Sequence, residues 1–368
     1  MANHSAVCAH TTNTFVAKRV EMSVAGRNSA AAGEADSDRG NRMKAIVQGR
    51  FGPPDTLHLA DIEKPEIGSG EVLLKVHAAS VNPYDWHMVR GDPRVARIMG
   101  GVGLTKPKTR IAGVDVAGRV QAVGADVHGL RPGDEVFGFA ARGAFAEFAA
   151  ADAALVVPKP DGLSFEQAAV IPMAAVTALH AIRDRGDVQP GQRVLVNGAA
   201  GGVGTLAVQI AAALCAEVTG VCSARNCDMV RSLGATHVVD YTSDDFADGT
   251  IRYDVILDNV GNRSVRDLRR AAAPTGIVIV NGGGSPGHIL GAVGSILGAA
   301  VVNLFVHQRI TMVPTTWNRE GLLAVTELID AGTLCPVIDR IYPLADTAAG
   351  LQHVEAGHAR GKVVITVT

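Results

Sequence analysis

Aromatic side chains are scarce: two Trp, four Tyr and nine Phe make up 4% of 368 residues. A base-stacking platform for nucleic acid needs more of them. Charge of one sign is missing as well. The balance of 34 Lys and Arg against 36 Asp and Glu leaves a net charge of −2, which argues against a broad basic face for nucleic acid or anionic lipid. Cysteine is sparse and scattered at Cys8, Cys215, Cys222, Cys227 and Cys335. These contain no CxxC pair and no Cys/His set at zinc spacing, and an odd count suits reduced, inert thiols in a cytoplasmic protein. The first thirty residues lack the continuous apolar core of a secretory signal. Long apolar runs are equally rare. The exception, 289–306, carries no charge but is broken by Gly291, Gly294, Gly298 and Asn303. It reads as a buried or interface helix rather than a stable membrane span.

What the chain does have is apolar bulk and glycine. Hydrophobic residues are 47% and charged residues 19%, which excludes wholesale disorder. The length fits about two domains. Glycine reaches 42 residues, against roughly 7% in an average protein.

The chain changes grammar twice. Residues 1–42 show no sustained period and read as a flexible extension. A mitochondrial transit peptide is the other reading, with Glu21, Glu34, Asp36 and Asp38 counting against it. From Met43 to about Ala150 come short β runs and turns: 44–47, 72–77, 114–123 and 135–139. After Pro172 strands and helices alternate. Strands are expected at 193–197, 217–222, 238–239, 255–257 and 277–281, with helices at 203–214 and 225–233. Such alternation predicts an α/β unit with a doubly wound parallel sheet. A helix over 319–331 and strands at 337–342 and 362–367 follow, and these are expected to return to the first unit.

One glycine cluster sits where chemistry needs it. Asn197-Gly198-Ala199-Ala200-Gly201-Gly202-Val203-Gly204 runs from an apolar strand straight into an apolar helix. Free N–H groups and the positive dipole end at a helix start receive a phosphate, and side chains there would block it. In this strand–loop–helix setting the cluster marks a dinucleotide site, with Ala200, Gly201, Gly202 and Val203 around the phosphates. At the end of the second strand, where a free ribose hydroxyl would meet an acid, stand Ser223, Ala224 and Arg225. A hydroxyl and a guanidinium suit a 2′-phosphate, so the coenzyme is expected to be NADPH. Ser223 also fits as a cap for the helix that carries Arg225.

With these residues in place the chain resembles the medium-chain dehydrogenase/reductase superfamily, on its zinc-independent quinone oxidoreductase-like branch. The likeness rests on Ser80-Val81-Asn82-Pro83-Tyr84-Asp85, Ala112-Gly113-Val114-Asp115-Val116-Ala117-Gly118 and Pro132-Gly133-Asp134-Glu135-Val136. It continues in Ala175-Val176-Thr177-Ala178, the glycine loop, Leu233-Gly234-Ala235, Asp254-Val255-Ile256-Leu257-Asp258 and Gly361-Lys362-Val363-Val364. The resemblance implies a Rossmann domain (171–316) inserted into a GroES-like β-barrel domain (43–170 and 317–368), NADPH between them, and a homodimer. It implies no metal: zinc-dependent relatives place Cys at the position of Asn82 and a His-Glu pair at Val114-Asp115. It puts Asn82 and Thr177 beside the nicotinamide with Asn281 and Asn259 at strand ends, Tyr241 at the adenosine phosphate, and Lys362 reaching toward the coenzyme.

Hydride addition to a quinone or α,β-unsaturated carbonyl leaves an oxyanion that needs a donor. Asn82 and Tyr84 are the candidate catalytic groups, with Asp85 either orienting Tyr84 or pairing with Arg90. Water is the alternative proton source. A loop over 93–107 is expected at the entrance to an apolar acceptor pocket. Other readings of the same residues are a carbonyl or enoyl-thioester reductase and a non-catalytic NADPH-binding protein.

Overall fold

The protein is described by a computed structural model over residues 41–92, 103–281, 307–313 and 317–367. Most of the 1–42 extension, the entrance stretch 93–102, the Gly282-Gly283-Gly284 loop and the 289–306 run lie outside the described residues.

The chain opens with an antiparallel pair, β1 (Arg42–Val47) and β2 (His58–Glu63). A seven-stranded sheet follows from β3 (Glu71–Val81), β4 (Asp115–Val123), β5 (Glu135–Phe139), β6 (Phe148–Asp152) and β7 (Val156–Pro158), joined by β14 (Ile338–Pro343) and β15 (Lys362–Thr366) from the chain's end. β3 is its hub, pairing antiparallel with β4, β6 and β15. The C-terminal strands thus complete a sheet begun almost 300 residues earlier, and the fold is a split barrel-like unit with the second sheet inserted.

That second sheet contains β8 (Arg193–Asn197), β9 (Glu217–Cys222), β10 (His237–Asp240), β11 (Tyr253–Asp258), β12 (Ala272–Val280) and β13 (Arg309–Met312). The order is β10-β9-β8-β11-β12-β13, with every pairing parallel. This is the doubly wound Rossmann order, and its direction reverses between β8 and β11. Strands covered on both faces must be apolar throughout. Val194, Leu195, Val196, Ile256 and Leu257 are accordingly fully buried.

Four helices position the site. α1 (Pro83–Arg90) follows β3 directly, with proline in its first turn, where the missing N–H costs nothing. α2 (Pro172–Leu179) links the two sheets. α3 (Gly202–Ala213) leaves the glycine loop, and α4 (Cys227–Ser232) follows β9. The helix expected over 225–233 begins late. The Asn226 N–H donates to the Ser223 carbonyl at 2.9 Å and its amide Nδ2 to Ser223 Oγ at 3.2 Å. These local bonds hold residues 224–226 in a 3₁₀ turn. The Ser223 hydroxyl therefore accepts from Asn226 instead of capping the helix.

Candidate coenzyme and active site

The glycine loop lies where the parallel sheet reverses, the usual crevice for a ligand in an open α/β sheet. Its glycines meet different demands. Gly198 takes φ 78°, which favours glycine. A Cβ on Gly204 would stand 2.1 Å from the Gly198 carbonyl oxygen and 2.8 Å from Ala199 Cα, so glycine there lets α3 approach β8. A Cβ on Gly201 would meet only the Gly198 oxygen, at 3.5 Å. Glycine at 201 is not required by the protein's own packing, and the open space above it fits a phosphate at the start of α3.

The neighbouring strand ends carry amides. Asn281 Nδ2 donates to Asn259 Oδ1 at 2.7 Å, and Asn259 Nδ2 donates to the Asn197 carbonyl at 3.2 Å. The Asn281 backbone N–H bonds the Asp258 carbonyl at 2.9 Å. Asn259 and Asn281 thus lie side by side at the sheet's C-terminal edge. At the far end of β9, Arg225 is exposed and donates to the His358 carbonyl at 3.0 Å. It lines a pocket with Arg340, Arg360, His353 and His358. The acid in that pocket, Asp339, is bonded to His353 at 2.6 Å. Tyr241 lies on the same side, its N–H on the Cys222 carbonyl at 3.1 Å. Cys222 Sγ and Cys227 Sγ come within 3.9 Å, and burial pushes the Cys222 thiol up to about 12, an unreactive state.

On the barrel side is a buried polar cluster. Asp115 is fully buried. Its Oδ2 accepts from Ser80 Oγ at 2.8 Å and Asn82 Nδ2 at 2.9 Å, and its Oδ1 from the Met173 N–H at 3.1 Å. Lys362 is also buried. Its Nζ donates to Asn82 Oδ1 at 2.5 Å and the Val81 carbonyl at 3.2 Å, and stands 3.6 Å from Asp115 Oδ2. Burial pushes Asp115 up and Lys362 down, while their attraction and the hydrogen bonds to Asp115 oppose both shifts. A carboxylate that accepts three hydrogen bonds beside an ammonium is best served ionised, so we read the two as an ion pair.

This cluster changes three expectations. Lys362 turns its ammonium into the barrel, with only its stem against the glycine loop. Both polar ends of the Asn82 side chain engage Asp115 and Lys362, so Asn82 acts from within a network. Asp85 does not pair with Arg90. It is buried and accepts the Asn82 N–H at 2.7 Å, whereas Arg90 bonds Glu355 at 2.5 Å. Burial first, and the nearby Asp115 charge, push Asp85 up to about 7 against the pull of its hydrogen bond and Lys362.

Tyr84 is half-buried and meets Trp317 edge-on, with ring centroids 5.8 Å apart. Trp317 stacks on Phe139 at 5.7 Å. Burial and the Asp85 charge raise the Tyr84 pKa, so its Oη keeps its proton. Thr177 sits half-buried in α2, the helix whose start is held by Asp115. The sequence reading missed the roles of Asp115 and Trp317. A lone acid inside the apolar run 112–118 was the available signal for the first; nothing local marked the second. Among the described residues no group of three or more His, Cys, Asp or Glu is placed to hold a metal ion, and no helix is long and apolar enough to cross a membrane.

A nicotinamide-dependent oxidoreductase is the class that this fold and crevice define. An alcohol dehydrogenase GroES-like domain model matches 68–161, and a zinc-binding dehydrogenase model matches 233–365. The chain is 34% identical to the NAD(P)H oxidoreductase RTN4IP1, mitochondrial, of Bos taurus, over 90% of this chain and 91% of that one. It is 30% identical to the NADPH-dependent alkenal/one oxidoreductase, chloroplastic, of Arabidopsis thaliana, over 96% and 87%. The solved quinone oxidoreductase of Coxiella burnetii superposes with a TM-score of 0.77 at 31% identity, over 89% of this chain and all of that one. The chain belongs to the medium-chain dehydrogenase/reductase superfamily, on its quinone oxidoreductase-like branch.

The cytoplasmic expectation is overturned by these comparisons. Relatives matched over nearly their whole length are mitochondrial or chloroplastic by name, which points to an organelle.

Proposed function

We propose that this protein is an NADPH-dependent, zinc-independent reductase of quinones or α,β-unsaturated carbonyls, with the coenzyme unit at 171–316 inserted between 43–170 and 317–368. The observation that carries the coenzyme assignment is the free face of Gly201 at the start of α3, in a loop otherwise shaped by its own packing. Arg225, in a pocket with two further arginines and no acid free of a partner, supports a 2′-phosphate. The donor set at Asn82 and Asp115 supports zinc independence. An amide replaces a thiolate there, and the Lys362 ammonium already neutralises the carboxylate, so a divalent cation meets a filled site with no free anionic ligand. The Arabidopsis and Coxiella relatives support the acceptor class by their names.

NADPH, when bound, supplies a hydride. The chain's part is to orient, to exclude water and to offer a proton. Glycine-loop N–H groups hold phosphate, and Asn259 and Asn281 line the crevice near the reacting end. Tyr84 Oη, kept protonated, donates a hydrogen bond to the oxyanion that forms on the acceptor. A raised pKa makes Tyr84 a poor proton donor, so it keeps its proton while hydrogen-bonding the oxyanion, and water completes the proton transfer. Following NADPH oxidation with a panel of quinones, enals and simple ketones tests the assignment. Turnover with quinones or enals but not with simple ketones is expected, and turnover with ketones alone would overturn it.

A further inference from the structure

Lys362 begins β15, and its side chain spans two structural units. Its stem crosses the phosphate loop: a Cβ built on Gly202 would stand 2.7 Å from Lys362 Cδ and 3.3 Å from Cγ. The residue before it is tied to the same loop. The Gly361 N–H donates to the Ala200 carbonyl at 2.8 Å, and Gly361 forms a bridge with Gly201. The other end of the side chain lies in the barrel, with Nζ on Asn82 Oδ1 and the Val81 carbonyl and Asp115 Oδ2 at 3.6 Å. Asp115 in turn holds the Met173 N–H at the start of α2, the helix of Thr177.

An ammonium and a carboxylate buried together are a poor source of stability, because desolvation offsets most of their attraction. Such a pair does fix geometry. Asn82 shows how: its amide can face only one way, oxygen to the ammonium and nitrogen to the carboxylate. The 3.2 and 2.5 Å contacts of Nζ leave the Lys362 stem little freedom over Gly202.

We infer that Lys362 is a positioning residue that locks the Gly201–Gly202 phosphate loop and the Asn82 turn into one register. The coenzyme's seat and the barrel face of the reaction cleft then keep a fixed separation. This rests on the reading of the glycine loop and Asn82 as parts of one reaction site.

Two variants test it. Lys362→Met keeps an unbranched stem over Gly202 and removes the ammonium. The double variant Lys362→Met with Asp115→Asn also removes the stranded carboxylate, so that folding is protected. Each is compared with the parent by thermal melting, by NADPH titration and by kcat with NADPH or its 4-deuterated form against a quinone. Hydrogen exchange of the coenzyme-free protein is followed over 80–86 and 198–204. The double variant is expected to bind NADPH within about threefold of the parent but to lose about tenfold or more in kcat, as a misplacement near 1 Å does. Its deuterium isotope effect should grow, and exchange should rise in both segments together. Exchange rising in only one segment, or a kcat within about twofold of the parent, overturns the inference. Asn82→Ala separates this from a failure of the site reading. If it leaves kcat unchanged, Asn82 is not at the reaction site. If it lowers kcat while the Lys362 variants do not, only the positioning role is lost.

Discussion

Replacing Gly201 and Gly204 one at a time by alanine separates a glycine kept for a ligand from one kept for the fold. Gly201 is the N-cap of α3 at φ −83° and ψ 176°, angles open to any residue. Exchanging an N-cap glycine for alanine costs up to about 1 kcal/mol. Restricting the unfolded chain returns about 0.4–1 kcal/mol. The sum lies within about 1 kcal/mol of zero, so Tm should move by no more than about 3 °C for a domain of this size. In Gly204→Ala the new methyl meets backbone at 2.1, 2.8 and 2.9 Å. Backbone cannot rotate away as a side chain would, so the overpacking penalty of about 1–3 kcal/mol is a floor, and Tm should fall by several degrees. NADPH affinity should respond in the opposite sense. A methyl over the start of α3 displaces a phosphate, and losing one charge-assisted bond of about 1.5–3 kcal/mol weakens binding roughly ten- to hundredfold. Thermal melts with and without NADPH, together with a fluorescence titration, read both quantities. A Gly201→Ala protein of unchanged Tm that binds NADPH within about twofold of the parent refutes the phosphate reading. A Gly204→Ala protein of unchanged Tm refutes the packing argument.

Arg225→Ala should weaken NADPH about tenfold at low salt and leave NADH within about twofold, since only the 2′-phosphate meets the guanidinium; equal losses in paired titrations would sink that assignment. Tyr84→Phe should lower kcat with a quinone about ten- to hundredfold without changing NADPH affinity, and full turnover in steady-state assays would remove Tyr84 from the chemistry. Asp85 has its pKa pushed up from 3.8 to about 7 in the fold, so the folded protein holds that proton more tightly than the unfolded chain. Its contribution is most favourable below about pH 4 and is lost as pH rises through about 7, by up to about 4 kcal/mol. Asp85→Asn should therefore gain stability relative to the parent at pH 8 but not at pH 4 in urea unfolding, and a pH-independent difference would refute the shift. Plasma emission analysis should find no stoichiometric zinc in the active protein, and inactivation by a chelator with rescue by zinc would overturn the zinc-independent reading.

The parallel sheet was legible because its strands are buried on both faces. Uncharged cores such as 194–196 and 218–222, rich in β-branched residues, admit few other readings, and β8 and β9 fall on them. Legibility fell where local bonds compete with periodicity. The segment 225–233 has helical composition throughout, yet Ser223 and Asn226 close a turn first and delay the helix to Cys227. Helix α1 was hidden for the opposite reason. The run Pro83-Tyr84-Asp85-Trp86-His87 offers no apolar stripe, and the helix is set by its proline start and by Asp85 accepting the Asn82 N–H.

At the site, type and place were legible but direction was not. A glycine cluster after a strand states its own purpose, because backbone supplies the bonds and the side chains need only be absent. Lys362 and Asn82 do not, since they are 280 residues apart and their contact exists only once β15 has paired with β3. A lysine beside a coenzyme loop suggests an ammonium aimed at phosphate. Two features turn it inward instead. The stem is pinned where Gly202 leaves room for it, and the barrel offers an amide oxygen, a carbonyl and the buried Asp115 carboxylate within 2.5 to 3.6 Å. A phosphate on the solvent side of the loop has to compete with that preformed set. The buried Asp115 carboxylate here holds an internal cation. Lys362 and Asp115 are therefore one charge-balanced unit, and removing either alone would leave a buried charge without a partner.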